Sequence, residues 1–374
     1  MWGDIVIAFT IAFMTAFMAA PHTIKLAKKV GAVDTPQDAR RINKITMPRL
    51  GGLAVILGFF VSIIYLLIVM SIEDKIDLYQ DNYFMKIIGF TLGALIIGIV
   101  CFIDDIKGVP AVIKLAAQII SACVVIKFGI KIENLDIPLI NLEGVGNWFY
   151  IILTIGWIVG ITNAMNLIDG LDGLSTGISI ISCLSLLIIF SLNASPIISI
   201  VLITALGGAL CGFLPYNFNP AKTFIGDTGS NFLGYCLSII SILGIAKTYT
   251  AIVIVAPLMV LALPILDTLA SIVRRIINGK SLKAIIQPDA GHLHHKLLKK
   301  GFSQKQAVLI LYGITAIFGM FAIILMDSGI WKALSFAIII CIIIAMGYKE
   351  FFKQRLLVDN SDEEENADNT NIEE

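Results

Sequence analysis

The sequence predicts an all-α, polytopic integral membrane protein with about eleven transmembrane helices. The first reason is composition, because 57% of the 374 residues are hydrophobic and only 14% are charged. A soluble domain carries about 25% charged residues, so this chain has too little polar material to cover a water-facing surface. The other two reasons are a series of long apolar runs and an uneven distribution of Lys and Arg between them.

Each long apolar run is predicted to form a membrane-spanning helix, which needs about 20 mostly apolar residues. Lys114 and Gln118 stand early in one of the runs and make it the weakest. The first run has no Lys or Arg before it and no clear small-residue cleavage site after it, so we expect a retained helix rather than a cleaved signal peptide. The eleven runs lie near 4–20, 51–70, 86–103, 112–130, 148–165, 174–192, 196–215, 229–246, 250–272, 305–326 and 330–347.

The loops predict the orientation, because cytoplasmic loops of membrane proteins are enriched in Lys and Arg. Loop 21–50 carries seven basic residues against two Asp, and loop 274–305 carries eight against one. Loop 71–85 is acidic, with four Asp or Glu against one Lys. Eleven crossings with the N-terminus outside and the C-terminus in the cytoplasm place both basic loops on the cytoplasmic side.

Composition divides the chain into a membrane-embedded domain, residues 1–350, and an acidic tail, residues 351–374. The tail after Val358 has eight acidic residues and no basic one, which is typical of a disordered segment. The six cysteines lie singly inside apolar runs, so the sequence predicts neither a zinc site nor a disulfide framework. The net charge is zero, and no basic field indicates nucleic acid as a partner.

Five polar clusters interrupt the apolar sequence, and the predicted topology places all of them on the cytoplasmic side. Ionisable residues at membrane depth are costly and usually mark functional sites. Their convergence on one face therefore predicts a single site that is open to cytosolic solutes. The clusters are KITMPRLGG (44–52), DDIKGVPAVIKLAAQ (104–118), NAMNLIDGLDG (163–173), YNFNPAKTFIGDTGSN (216–231) and PDAGHLHH (288–295).

Asp104 and Asp105 are adjacent carboxylates at the end of an apolar stretch. They repel each other unless a cation or a hydrogen-bond donor is close. They therefore indicate a magnesium–phosphate site, where the hard cation takes carboxylate oxygens; a solvated helix end is the alternative. Lys114 would either hold a phosphate or extend its ammonium group to the membrane surface.

Asn163, Asn166, Asp169 and Asp172 recur at steps of three residues. On a straight helix the last acid would point away from the first amide. A glycine follows each acid, however, so the helix can end there and the chain can turn to bring both acids back. Amide and carboxylate oxygens suit Mg²⁺, and a turn with incidental polar residues is the alternative.

Asp227 lies just before an apolar helix in the segment GDTGS. With Thr228 and Ser230 it would cap the N-terminus of that helix. The free N–H groups at the same position would equally suit an anion.

Three of the four histidines lie together in GHLHH: His292, His294 and His295. The neighbouring Lys and Arg residues favour an anionic ligand such as a diphosphate. A zinc site is the less favoured alternative, because this loop contains no cysteine and Asp289 is its nearby acid.

Five motifs of this sequence, in their order along the chain, resemble those of the polyprenyl-phosphate N-acetylhexosamine-1-phosphate transferases of glycosyltransferase family 4. They are MPRLGG, DDIKGV with its downstream lysine, NAMNLIDGLDGL, FIGDTGSNFLG and PDAGHLHH. The resemblance covers roughly residues 1–350. It favours the branch that transfers N-acetylglucosamine 1-phosphate to undecaprenyl phosphate for teichoic-acid or O-antigen-type glycans. It implies an eleven-helix fold in a bacterial cell membrane, a cytoplasmic active site and a Mg²⁺ ion, with Mn²⁺ as a substitute.

The resemblance also implies partners and residue roles. UDP-N-acetylhexosamine and undecaprenyl phosphate are the implied substrates, and a homodimer is a further expectation. The residues expected to hold the metal are Asn166 and Asp227. The expected catalytic acids are Asp104, Asp105, Asp169 and Asp172. The expected substrate-binding residues are Lys44, Arg49, Lys114, Asn163, His292, His294 and His295.

The histidine segment distinguishes this chain from a sister group. The phospho-N-acetylmuramoyl-pentapeptide transferases of peptidoglycan synthesis tend to carry three consecutive histidines followed by an acid, whereas here Leu293 interrupts the run and Lys296 follows it. Ala290 stands where the favoured branch often has a polar or basic residue, so we expect one substrate contact to be missing. The alternative from another class, a proton-coupled transporter, predicts polar residues near mid-span or in both halves of the membrane.

Overall fold

The computed structural model describes residues 2–35, 46–73, 82–132, 146–245, 251–279 and 291–344. They divide into two compact units after Ile323, and the second contains the end of α12 together with α13. The all-α prediction is confirmed over these ranges, where the strands contribute two residues each. The elements are α1 (Trp2–Val30), β1 (Val33–Asp34), β2 (Met47–Pro48), α2 (Gly52–Ile72), α3 (Tyr83–Lys107), α4 (Ala111–Lys127), α5 (Asn147–Ile168), α6 (Leu174–Leu192), α7 (Ile197–Asn217), α8 (Gly226–Ile245), α9 (Ala251–Val260), α10 (Ala262–Gly279), α11 (Leu293–Lys299), α12 (Gln304–Ser328) and α13 (Ile330–Ile344).

Seven of the described helices are long and apolar enough to cross a membrane: α1, α2, α3, α5, α6, α7 and α12. The chain is therefore a polytopic membrane protein. Helices also occupy the other four predicted runs, but with different lengths: α4 has 17 residues, and the run at 250–272 is divided into α9 and α10. Pro264 explains this division, because it has no N–H to donate to the carbonyl four residues before it and is tolerated in the first turn of a helix.

Small residues allow α1 to pack closely against α2 and α7. A side chain at Gly58 of α2 would collide with the backbone carbonyl of Ala12, and one at Gly212 of α7 would collide with that of Phe13. Close backbone approach through small residues is the usual way in which membrane helices associate. Four fully buried alanines recur every fourth residue along α1: Ala8, Ala12, Ala16 and Ala20.

The first eight helices bring alternate ends to one place. The C-terminal ends of α1, α3, α5 and α7 lie beside the N-terminal ends of α2, α4, α6 and α8, around one cavity. A chain that passes back and forth in this way places every second connection at the same end of the bundle. Four of the five polar clusters of the sequence lie at these connections, and the fifth, PDAGHLHH, runs into α11.

The strands β1 and β2 form an antiparallel pair between α1 and α2, with Val33 opposite Pro48 and Asp34 opposite Met47. The pair is continued by a hydrogen bond from the Arg49 N–H to the carbonyl of Ala32 (3.0 Å). This short ribbon holds the beginning of α2 against the end of α1. It also presents Asp34 and Arg49 to the cavity.

Candidate active site

Backbone hydrogen bonds join the segment before α8 to the segment around β2. Phe224 N donates to the carbonyl of Pro48 (2.8 Å), Gly51 N to that of Phe224 (3.0 Å) and Gly52 N to that of Ile225 (2.8 Å). Backbone pairing of this kind satisfies polar groups that would otherwise be buried without partners. The MPRLGG and FIGDTGS segments, which are far apart in the sequence, therefore form one wall of the site.

The cavity between these helix ends has a volume of about 400 Å³. Its polar lining consists mainly of carboxylates and amides, with the guanidinium group of Arg49 and the ring of His295 beside them. A cavity of this size suits a ligand of small-molecule dimensions. The lining residues are Asp34, Arg49, Asn166, Asp169, Gly170, Leu171, Asp172, Asn217, Phe224, Ile225, Gly226, Asp227 and His295.

Lys114 lies between two carboxylates that come from different helices. Its Nζ donates to Asp104 Oδ2 (2.7 Å) and to Asp227 Oδ2 (2.8 Å). The other oxygen of Asp104 accepts the N–H of Val109 (2.6 Å), and that of Asp227 accepts the Asn166 amide (3.1 Å). Charge-assisted bonds of this kind are among the stronger ones in proteins. They join α3, α4, α5 and α8 at the edge of the cavity.

Asp105 faces away from its neighbour and binds the N-terminus of α8. Its Oδ1 accepts the N–H of Asp227 (2.9 Å), and its Oδ2 accepts both the N–H (2.9 Å) and the hydroxyl (2.6 Å) of Thr228. The residue is buried. From the sequence, either a local cap or an anion was expected at this helix end. The structure places the carboxylate of Asp105 there. Its negative charge also interacts favourably with the helix dipole.

Gly226 is required where α8 begins. Its φ is 73°, a left-handed conformation that other residues rarely adopt. A side chain at this position would also collide with the backbone carbonyl of Arg49. The glycine of the GDTGS segment thus permits the close contact between α8 and the strand wall.

The turn after α5 brings two acids to the cavity, as the sequence predicts. The helix ends at Ile168, Asp169 follows as its C-cap, and Gly173 adopts a φ of 77° before α6 begins. Both Asp169 and Asp172 line the cavity. The prediction that the chain turns so that these acids fold back is therefore confirmed.

The two acids of this turn have different hydrogen-bond partners. Asp169 Oδ1 accepts the hydroxyl of Ser175 (2.6 Å). Asp172 Oδ2 accepts the amide of Asn219 (3.0 Å) and the N–H of Ala221 (3.1 Å), so it also fixes the loop between α7 and α8. Burial, together with the smaller effect of the nearby carboxylates of Asp227 and Asp105, raises the pKa of Asp169 to about 7. A bound cation beside Asp169 would favour its ionised form.

The three histidines of GHLHH have three different environments. His292 is buried, and its Nδ1 lies 2.8 Å from Asp267 Oδ2. His294 is also buried and packs against Gly170, where a side chain would collide with its ring. Burial lowers the pKa of His294 to about 4, so its ring is neutral at pH 7. His295 is the member of the segment that lines the cavity.

Asp267 of α10 supports the histidine segment and was missed by the sequence interpretation. Besides His292, it accepts the N–H of Leu293 (2.9 Å), so both of its oxygens hold the beginning of α11. It is buried, with 3% of its surface exposed. The signal that could have identified it was an acidic residue inside a predicted span, since such residues usually have a functional or structural partner.

The predicted site residues differ in how they stand relative to the cavity. Arg49, Asn166, Asp169, Asp172, Asp227 and His295 line the cavity, while Asp104 and Lys114 stand at its edge. Asn163 lies one helical turn from Asn166 and bonds to Gln118, so the structure does not bring it to the cavity surface. Lys44 lies outside the described residues, as do the acidic tail and Ala290. The proposed catalytic and binding roles stay predictions.

The donor set at the cavity fits a hard divalent cation. Asp34, Asp169, Asp172 and Asp227 contribute four carboxylates, against one guanidinium group from Arg49. Carboxylate and amide oxygens are the ligands that Mg²⁺ takes, together with water and substrate phosphate. Among the described residues, no group of three His, Cys, Asp or Glu is arranged as a complete metal site, so substrate or water oxygens would have to complete the coordination.

The fold and the site define a multi-helix membrane protein with an acidic cavity at its helix ends and a lysine at the edge of that cavity. Comparison with known proteins assigns the chain to a family of this kind. Residues 87–245 match the profile of glycosyl transferase family 4, a range that contains most of these polar residues. The chain belongs to this family.

Three curated relatives match between 64% and 91% of this chain. It is 38% identical to a probable undecaprenyl-phosphate N-acetylglucosaminyl 1-phosphate transferase of Bacillus subtilis, over 91% of this chain and 89% of the relative. It is 35% identical to a decaprenyl-phosphate N-acetylglucosaminephosphotransferase of Mycobacterium tuberculosis, over 82% of this chain and 78% of the relative. A phospho-N-acetylmuramoyl-pentapeptide-transferase of Staphylococcus epidermidis is 34% identical to it, over 64% of this chain and 74% of the relative.

Proposed function

We propose that this protein transfers N-acetylglucosamine 1-phosphate from UDP-N-acetylglucosamine to undecaprenyl phosphate, giving undecaprenyl-diphospho-N-acetylglucosamine and UMP. An oxygen of the lipid phosphate forms a bond to the sugar-linked phosphorus, and the bond from that phosphorus to the bridging oxygen breaks. The relatives named for this reaction match the chain over a larger share than the relative of the peptidoglycan pathway. This difference and the interrupted histidine run favour the proposed reaction over the sister one.

The observation that carries the proposal is the carboxylate-rich cavity with Lys114 held between Asp104 and Asp227. Bringing an anionic lipid phosphate to an anionic diphosphate is the main obstacle to this reaction. Positive charge at the reacting groups is therefore worth more than a strong base. A lysine that bridges two helix ends beside the cavity can supply such charge on the protein side.

Mg²⁺ is the proposed cofactor, with Mn²⁺ as a substitute, and Asn166 and Asp227 are the residues proposed to hold it. When bound, such an ion neutralises diphosphate charge and orients the phosphoryl group. Four carboxylates line the cavity, so a diphosphate would be repelled there in the absence of a cation. This repulsion supports the proposed ion.

The residues of this chain would then bind and orient the two phosphates. Arg49 and His295 face the cavity, where they would hold the diphosphate. A phosphate monoester has its second pKa near about 6, so the lipid phosphate is largely a dianion at neutral pH. Any remaining proton would pass to Asp104, which lies at the cavity edge, whereas Asp105 is buried against the N-terminus of α8.

The proposed topology has eleven crossings in a bacterial cell membrane, with the N-terminus outside and the C-terminus and cavity facing the cytoplasm. Residues 21–50, which include the end of α1 and its connection to α2, carry seven basic residues, and the ends of both helices meet at the cavity. Basic loops are typical of the cytoplasmic side. The gathering of the polar residues at one end of the helices disfavours the transporter alternative.

Lipid extraction tests the reaction. Purified protein is incubated with UDP-[¹⁴C]N-acetylglucosamine, undecaprenyl phosphate and Mg²⁺, and we expect label in the organic phase together with one UMP per product. Chelation of the metal with EDTA is expected to stop the transfer. Absence of lipid-linked label would contradict the proposal, and uptake of unmodified UDP-sugar into sealed vesicles would instead favour a transporter.

Asp267→Asn is expected to lower kcat by about tenfold, with a change of less than threefold in KM for the UDP-sugar. The substitution keeps the size of the side chain but removes the charge that orients His292 and the beginning of α11. At metal-binding histidines, loss of such a supporting carboxylate typically costs about 10- to 100-fold in affinity or activity. We expect the lower end of this range because His292 does not line the cavity. Initial rates over a range of UDP-sugar concentrations measure kcat and KM separately.

The matched control is Asp327→Asn, which makes the same chemical change at an exposed position near the end of α12. It is expected to retain activity within twofold of the unmodified protein. Equal activity of the two variants would contradict a positioning role for Asp267.

A further inference from the structure

Three side-chain amides form a cluster beside the cavity, on the helices that carry Lys114, Asn166 and Asp227. Gln118 of α4, Asn163 of α5 and Asn231 of α8 make up this cluster, which we name the amide layer. Asn163 Nδ2 donates to Gln118 Oε1 (2.6 Å), and Gln118 Nε2 donates to Asn231 Oδ1 (2.9 Å). Gln118 and Asn231 are almost completely buried.

The amide layer continues into the backbone of two of its helices. Asn163 Nδ2 also donates to the carbonyl of Val159 (2.8 Å), and Asn231 Nδ2 donates to the carbonyl of Asp227 (2.9 Å). The second bond attaches the layer directly to a residue of the site. Each amide nitrogen therefore has at least one close acceptor, and the contacts pass from α5 through α4 to α8.

Each member of the layer lies one helical turn from a site residue on the same helix. Gln118 is four residues after Lys114, Asn163 three before Asn166 and Asn231 four after Asp227. Residues separated by three or four positions share a helix face at a distance of about one turn, roughly 5.4 Å. The layer is thus parallel to the row of site residues and lies deeper between the helices.

A fully bonded amide cluster between helices restricts their relative rotation. A buried amide that loses its partner costs about 1–3 kcal/mol. Rotation of α4, α5 or α8 by a fraction of a turn would separate these partners, whereas purely apolar contacts would tolerate a small slide. The same rotation would move the ammonium group of Lys114 away from the two carboxylates that hold it.

We infer that the amide layer is a positioning device for the proposed transfer reaction: Gln118, Asn163 and Asn231 fix the register of α4, α5 and α8, so that Lys114 stays between Asp104 and Asp227. This assigns Asn163 a role that differs from the substrate binding expected of it. The layer acts through the site residues and does not itself touch the cavity. The inference rests on the proposed function for its effect on rate, but not for its effect on Lys114.

The test measures the position of Lys114 independently of catalysis. The purified full-length protein and the variants Gln118→Met and Asn231→Leu are treated with a limiting amount of acetic anhydride, and acetylation of Lys114 is followed by mass spectrometry. An ammonium group held by two carboxylates reacts slowly. We expect Lys114 to react at least threefold faster in each variant and kcat for lipid-linked product to fall at least tenfold.

Ser121→Ala is the matched control on the same helix. Ser121 lies one turn beyond Gln118, is buried, and donates to the carbonyl of Gly93 (2.9 Å), so its loss removes a buried hydrogen bond outside the layer. We expect this variant to keep the Lys114 acetylation rate and kcat within twofold. Gln118→Met preserves side-chain length, and thermal denaturation checks that each variant is folded.

Each result decides the inference. An unchanged Lys114 acetylation rate in a folded layer variant would overturn it, as would an equal increase in Ser121→Ala. A further outcome is that Lys114 is acetylated faster in the layer variants while even the unmodified protein shows no transfer activity. That result would support the positioning role and would contradict the proposed function. If Asn231→Leu is unfolded, Gln118→Met alone gives the result.

Discussion

Asp227→Asn is expected to lower kcat by about 1,000-fold, the largest single effect that we predict. Removal of one charge-stabilising group from a preorganised site costs on the order of 100- to 1,000-fold. Asp227 accepts bonds from both Lys114 and Asn166, and it is the acid proposed to hold the metal. The variant keeps the size of the side chain and loses the charge, so its expected defect is electrostatic.

Initial rates of lipid-linked product over a range of Mg²⁺ concentrations measure this effect. We expect the Mg²⁺ concentration for half-maximal activity to rise as well, because one charged oxygen ligand is lost. Asp327→Asn again serves as the control at an exposed position. Retention of more than a tenth of the activity at an unchanged Mg²⁺ requirement would mean that Asp227 does not hold the metal.

Asp105→Ala is expected to have the second largest effect, and to change both stability and rate. It leaves three donors at the N-terminus of α8 without their acceptor: the N–H groups of Asp227 and Thr228 and the Thr228 hydroxyl. Loss of a buried charged acceptor is worth about 3 kcal/mol of unfolding free energy. We expect kcat to fall about 100-fold, since Asp227 is displaced with the helix end.

Unfolding in mixed detergent micelles measures the stability change, and Asp105→Asn provides a graded comparison. The Asn variant keeps one acceptor oxygen, so we expect it to lose less stability than the Ala variant. Its activity should not recover at high pH, because Asp105 is proposed to hold α8 rather than to remove a proton. Recovery of Asp105→Asn at pH 9 would instead identify it as the base.

The neighbouring carboxylates Asp104 and Asp105 show where sequence interpretation reaches its limit. The sequence identifies both as candidates, because two adjacent acids after an apolar run need a cation or donors. It does not separate their roles, since these depend on which groups from α4 and α8 lie on each side of α3. In the structure Asp104 binds Lys114, and Asp105 binds the N-terminus of α8.

The histidine segment illustrates the same limit over a longer distance. His292, His294 and His295 are equivalent as sequence candidates for binding an anion. Asp267, the turn at Gly170 and the cavity then give each of them a different environment. None of these partners is adjacent in the sequence, so periodicity and composition could not assign the roles.

The amino-acid sequence was sufficient to predict a polytopic membrane protein and the polar segments of its candidate site. Both properties depend on local information, namely the length of apolar runs and the cost of placing charge among them. The pairing of the polar groups, by contrast, is visible only in the folded protein. So is the difference between the groups that face the cavity and those that, like Gln118 and Asn231, lie buried beside it. The physical reason is that a hydrogen bond requires the right rotation of both helices, and that rotation is set by packing along the whole bundle.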